Sequence, residues 1–292
     1  MKAQTVSVIS DHRCQLGEGP SFDHTVGALY WFDIVAGHLL EKKPGSGPTR
    51  VFDLGEMASA MAEIDGERQL ILTETGLHVR ERASGRLSLL KAVEAENRVT
   101  RSNDARVHPC GALWFGTMGK KAEAGAGAIY WYFKGELRTL YSQITIPNAI
   151  AFSPDGTVAY YADTAAGVLM RVACDPETGL PQGEPTLFLK NEGKGGFDGS
   201  VVDLDGLIWN ARWGDSRLVA YGPADGKIVQ SVPLPVTQPS CPAFFGAAAD
   251  RIAVTSALEG YDEAKRAAEP MAGMTLLVEF PVRGRPEPKV KI

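Results

Sequence analysis

The chain has no run approaching the roughly 18 consecutive apolar residues that a membrane span needs, and its N-terminus, MKAQTVSVISDHR, carries no apolar core of a secretory signal. These absences predict a cytoplasmic protein with no membrane partner. Cysteine is scarce: Cys14, Cys110, Cys174 and Cys241 lie far apart with no C-x-x-C spacing, which argues against a disulfide framework and against a thiolate zinc site. Dense Lys/Arg runs are missing, and the net charge of -5 leaves no basic face for nucleic acid. The five histidines form no H-E-x-x-H or close pair, and there is no G-x-S-x-G, no phosphate-binding P-loop and no dinucleotide fingerprint. AGAGAIYW at Ala124–Trp131 reads as a flexible loop entering a strand. Helical periodicity is nearly absent too; only GYDEAKRAAEPMAG, Gly260 to Gly273, looks briefly helical, with Pro270 as its stop.

What the sequence does contain is turns. Thirty-two glycines and eighteen prolines punctuate short alternating segments such as ALYWFDI, AIYWYF and VAYYADT, whose aromatic and β-branched content at period two predicts strand after strand. A turn followed by an apolar strand recurs at Gly27, Gly66, Gly111, Gly156, Gly206 and Asp250, at intervals of 39 to 50 residues. Each unit has room for four strands; in the first these fall near 19–23, 28–33, 38–42 and 49–53. Six such units predict an all-β, six-bladed β-propeller of four-stranded antiparallel blades around a central channel, a single domain over residues 1–292. Two β-sandwiches would explain the strands but not the period. Residues 5–10, TVSVIS, are expected to pair with 274–280, MTLLVEF, and close the ring, which removes exposed sheet edges.

Equivalent positions in a ring of blades surround one axis. Eight residues before Gly111, Gly156 and Gly206 stand Asn103, Asn148 and Asp198, and nine before Gly27 stands Glu18. The corresponding places in the second and sixth units hold Ala58 and Pro242. Taken alone, each Asn would be a turn residue, Glu18 a solvated loop charge and Asp198 part of an Asp-Gly turn. Their recurrence at one offset points instead to a shared site, whereas Asp155 and Asp205 read as structural turn residues. Strand alternation puts Arg101 on the same side as Asn103 and Asp104 on the other. Two carboxylates and an amide oxygen converging in a channel would bind a hard divalent cation, with open positions for water or substrate.

The motifs LGEGPSF, RSNDARVHPCGALWFGTM, IPNAIAFSPDGTVAYYADT and FDGSVVDLDGLIW, in that order, resemble the SMP-30/gluconolactonase/regucalcin-like family of metal-dependent six-bladed sugar lactonases. The resemblance implies Glu18, Asn148 and Asp198 as metal ligands, Asp198 also as general acid/base, and Arg101 and Asn103 as substrate-binding residues. It implies one divalent metal, Ca²⁺ in preference, with Zn²⁺, Mg²⁺, Mn²⁺ or Fe²⁺ as alternatives, and a small-molecule sugar lactone opened to an aldonic acid. Where many members carry Gly after Pro-Asn, this chain has Ala149. Where many carry a sugar-contacting Glu after GTM, it has Lys120 and Lys121, with Glu123 as a substitute. The same kinship leaves open a calcium-binding regulatory propeller without turnover and a related esterase or phosphotriesterase. A protein-interaction scaffold is the third class, one that would not need the oxygen donors.

Overall fold

A computed structural model describes residues 5–292. Among these residues twenty-four strands form six antiparallel sheets of four, each sheet in simple up-and-down order except the last. The innermost strands, Gly17–Asp23, Ala58–Glu63, Thr100–Val107, Pro147–Phe152, Gly196–Val202 and Pro239–Phe245, contact one another in a closed ring. Every predicted repeat turn, from Gly27 to Asp250, lies between the first and second strand of its blade. The chain is a six-bladed propeller, as its period indicates.

Strand composition follows position in the blade. Second strands are mostly buried and read largely apolar, as in ALYWFD at Ala28–Asp33; inner strands are buried too but carry polar and charged residues, as in TRSNDARV at Thr100–Val107; fourth strands such as Leu87–Ala92 are largely exposed. Trp31, Trp114 and Trp209, one from each of three second strands, are fully buried. The sixth sheet is completed by the chain's start: Thr5–Ser10 pairs antiparallel with Thr275–Glu279, with Val6 opposite Val278. The one helix among the described residues, Glu263–Ala268, is capped by Asp262, whose carboxylate accepts from the Lys265 amide at 2.8 Å.

All six inner strands share an irregularity. The ladder to the second strand shifts register between Glu18 and Ser21, Ala58 and Ala60, Ser102 and Ala105, Asn148 and Ala151, Phe197 and Ser200, and Pro239 and Pro242. A bulge of this kind bends the strand and re-aims side chains. Within two of these bulges Gly19 (φ 54°) and Ala149 (φ 55°) are left-handed. At Gly19 a side chain has no room, since a Cβ there would lie 2.0 Å from the Ser59 carbonyl oxygen.

Candidate functional site

The bulges sit near the N-terminal ends of the inner strands, and there Glu18, Arg101, Asn103, Asn148 and Asp198 line a single cavity of about 370 Å³. Four blades contribute, as the spacing indicates, but not from one ladder position. Glu18 and Asn148 are the last paired residues before their bulges, whereas Asn103 and Asp198 lie inside theirs. The shared offset from the turn works because the bulge absorbs the difference.

The polar groups form a chain around the mouth. Arg101 Nη1 donates to Asn103 Oδ1 at 2.8 Å and to the Ser102 carbonyl at 2.8 Å. Asn103 Nδ2 donates to the Pro147 carbonyl and to Asn148 Oδ1, both at 2.9 Å. Asn148 Nδ2 donates to Thr164 Oγ1 at 2.9 Å, and that hydroxyl donates to the Phe197 carbonyl at 2.6 Å, beside Asp198. Asn210 Nδ2 holds the same bulge from behind, donating to the Asp198 carbonyl at 2.6 Å. Asn103 thus commits both amide hydrogens within the protein and keeps one free lone pair on Oδ1.

Glu18 and Asp198 are buried without a compensating cation of their own. Burial raises the pKa of Glu18, the field of Asp104 adds to it, and the Gly19 amide and Arg101 oppose it. Asp198 is raised by burial and then by Glu18 and Asp104. Burial lowers the pKa of Arg101, against the fields of Glu259, Glu18 and Asp198. Two buried carboxylates that repel each other are costly when both ionise, and a bound divalent cation reverses that cost. The donor set of Glu18, Asn148 and Asp198, all oxygen, therefore suits a hard cation. No group of three or more His, Cys, Asp or Glu gathers among the described residues, so the third oxygen of this set is an amide oxygen.

Several residues escaped the sequence pattern. Asp104 does not line the cavity, but neither does it leave the channel as strict alternation requires. The bulge turns it inward, where its carboxylate accepts from the Ile150 amide of the next blade at 2.7 Å and from Ala105 N at 2.9 Å. Trp213, Thr164 and Glu259 also line the cavity, from segments outside the repeat offset. Lys120 and Lys121 line it as well. Glu123 does not: its carboxylate folds back onto the Lys121 amide at 3.0 Å.

The sequence profile of the SMP-30/Gluconolactonase/LRE-like region matches residues 16–258, a span that contains Glu18, Arg101, Asn103, Asn148 and Asp198. This chain belongs to that family. Within the SMP-30/gluconolactonase family, a Rhizobium meliloti protein provisionally named a sugar lactone lactonase is 50% identical over 97% of this chain and 96% of its own. An L-arabinolactonase of Azospirillum brasilense is 32% identical over 93% and 90%. A crystal structure from Agrobacterium tumefaciens, described as a calcium-binding protein, regucalcin, superposes with TM-score 0.96 at 45% identity, covering 98% of this chain and 97% of that one.

A second cavity of about 240 Å³ lies toward the C-terminal ends of the first three inner strands, under the segment Pro286–Lys289. Its walls are mainly apolar, with Phe22, Met61, Leu70, Leu72, Val107 and Leu113. The charges at its edge are paired with one another, Arg106 with Glu287 and Lys289 with Glu63. It shares no lining residue with the cavity that holds Glu18, Arg101, Asn103, Asn148 and Asp198.

Proposed function

We propose that this protein is a metal-dependent lactonase that hydrolyses a sugar lactone to the open acid. The observation that carries the reading is the convergence of Glu18, Asn148 and Asp198 with Arg101 and Asn103 in one cavity of a propeller whose relatives bear lactonase names. Glu18, Asn148 and Asp198 would hold the cation. Bound there, Ca²⁺ in preference to Zn²⁺, Mg²⁺, Mn²⁺ or Fe²⁺, it would supply positive charge that keeps both carboxylates ionised and draws electron density from the lactone carbonyl.

Asp198 accepts a proton from the attacking water as its oxygen bonds to the carbonyl carbon. The same proton is returned to the ring oxygen when the C–O bond breaks, so the product is the aldonic acid, which releases its carboxyl proton to solvent, and Asp198 is regenerated as a carboxylate. Arg101, preorganised by its bonds to Asn103 and the Ser102 carbonyl, presents its remaining N–H groups to the developing oxyanion or to ring hydroxyls. Asn103 accepts one hydrogen bond from a substrate hydroxyl while holding the Asn148 oxygen in place.

A panel of aldonolactones followed by acid release, with metal-loaded and chelated protein, tests this reading. Turnover that chelation abolishes, and that Asp198→Asn lowers by about 10²- to 10⁴-fold in kcat, is expected from loss of a general base. Full activity in both would sink it. A second reading, cation binding without turnover, is favoured by the regucalcin description of the 45%-identical structure. It requires thermal stabilisation by Ca²⁺ with no acid release from any lactone.

A further inference from the structure

Six charged side chains line the site cavity: Glu18, Asp198 and Glu259, and Arg101, Lys120 and Lys121. Arg101 lies in the fields of all three carboxylates, most strongly that of Glu259. Lys120 turns its ammonium to Glu74 in a salt bridge. Lys121 forms no salt bridge among the described residues, and the one carboxylate close to it in sequence is unavailable. Glu123 is spent on the backbone of the turn, accepting from Lys121 N at 3.0 Å. It is packed so tightly there that a Cβ on Gly119 would meet Glu123 Oε2 at 2.1 Å.

That turn is built rather than loose. Lys120 N donates to the Val99 carbonyl at 2.8 Å, Ala122 N to the Gly119 carbonyl at 2.9 Å, and Gly125 N to Thr145 Oγ1 at 3.1 Å. Ala122 at its tip is held at φ 55°. The base of Lys121 is thereby fixed at the lip of the cavity, with its ammonium in no salt bridge among the described residues.

We propose that the preferred substrate is a lactone carrying a free carboxylate, an aldarolactone, and that the Lys121 ammonium binds that carboxylate. The inference rests on the lactonase reading above and names the substrate class of the same site. A single ammonium is a compact point charge that matches a monoanion, whereas a phosphate dianion near Glu18, Asp198 and Glu259 would call for further cations or a bidentate arginine. A neutral hydroxymethyl group at the same substrate position leaves Lys121 with water alone.

The test compares kcat/KM for aldarolactones and aldonolactones of matched ring stereochemistry, which differ only in carboxylate against hydroxymethyl at the terminal carbon. The aldarolactone is expected to be favoured by about tenfold or more, the scale of one charge-assisted hydrogen bond. That ratio should shrink as NaCl rises, collapse about tenfold in Lys121→Met, invert in Lys121→Glu and persist in Lys121→Arg, with the change carried by KM. Calorimetric binding of the open acids, glucarate against gluconate, gives the same ordering without turnover. Equal ratios in wild type, or a ratio unmoved by Lys121→Glu, overturn this inference and leave the lactonase reading standing. Failure to open either class of lactone overturns both.

Discussion

At the scale of single residues, burial decides what the carboxylates do. Asp104 shows it outside the proposed cation-binding set. Burial pushes its pKa up to about 6 from an ordinary 3.8, although Arg106 and two backbone amides pull it down. A carboxyl whose folded pKa exceeds its unfolded one is easiest to bury protonated. Its contribution to stability is therefore fully present below about pH 4 and is lost as pH rises through about 6. The change is at most about 3 kcal/mol for a shift of this size. Asp104→Asn cannot ionise, so its unfolding free energy should lack that decline between pH 4 and 7, at the expense of one of the two backbone hydrogen bonds. Urea unfolding across that range measures both slopes, and parallel slopes would refute the assignment. Asn103 illustrates the same competition for partners: its amide hydrogens are already used, so Asn103→Ala should loosen Asn148 and Arg101 together. Weaker cation affinity as well as a higher KM is expected, whereas a pure substrate contact would change KM alone.

At the scale of the strand, the bulge is the element that makes the site. Gly19 and Ala149 occupy left-handed backbone in two of the six bulges and give opposite predictions. Gly19→Ala drives a Cβ into the Ser59 carbonyl and should cost several kcal/mol or prevent folding, because both the conformation and the space forbid it. Ala149→Gly relieves an unfavourable φ and should be neutral to stabilising by about 1 kcal/mol, a Tm rise of roughly 2 to 4 °C. A large loss of Tm in Ala149→Gly would show that the methyl group's packing outweighs the backbone term. The bulges also mark where the sequence stops being readable. Blade period, the six turns and the four oxygen donors are legible because Gly, Asp and alternating apolar residues obey local rules. The inward turn of Asp104 is not, because period two fails once an extra residue enters the strand. Glu259 and Trp213 were invisible for another reason: Glu259 reaches the cavity from a turn beyond the sixth blade's second strand, and Trp213 from the end of the fifth blade's second strand, neither of which the offset marks. Lys121 differs again, since its residue type is plain in the sequence but its lack of a partner depends on how Glu123 and Glu74 fold around it.

At the scale of the whole molecule, a ring of blades must be held shut, and the chain's last residues do this in addition to the pairing of Thr5–Ser10 with Thr275–Glu279. Beyond Glu279 the segment crosses the face of the propeller opposite the site. Gly284 N donates to the Ala249 carbonyl, Arg285 Nη2 to the Phe152 carbonyl at 2.9 Å, Val290 N to the Glu63 carbonyl and Lys291 N to the Gly111 carbonyl. In this way it ties the sixth, fourth, second and third blades to one strap. Its central contact is Glu287, which meets Arg106 Nη1 at 2.8 Å. Arg106 rises from the third inner strand and spans the channel, donating to the Ser200 carbonyl of the fifth blade at 3.0 Å. Burial opposes its charge, but the fields of the Glu287 and Asp104 carboxylates push its pKa up. Removing one partner of such a pair leaves a buried cation, a loss of roughly 3 to 5 kcal/mol when both are fully enclosed. Glu287 keeps 24% of its side chain exposed, and Asp104 remains nearby, so Glu287→Gln should cost less, about 1 to 3 kcal/mol. Arg106→Met in the Glu287→Gln background should cost less than in wild type, because the uncompensated charge is then gone. Chemical unfolding of the two single variants and the double variant measures the coupling. Additive losses would mean that the strap holds the ring by its backbone bonds and that the ion pair crossing the channel contributes nothing.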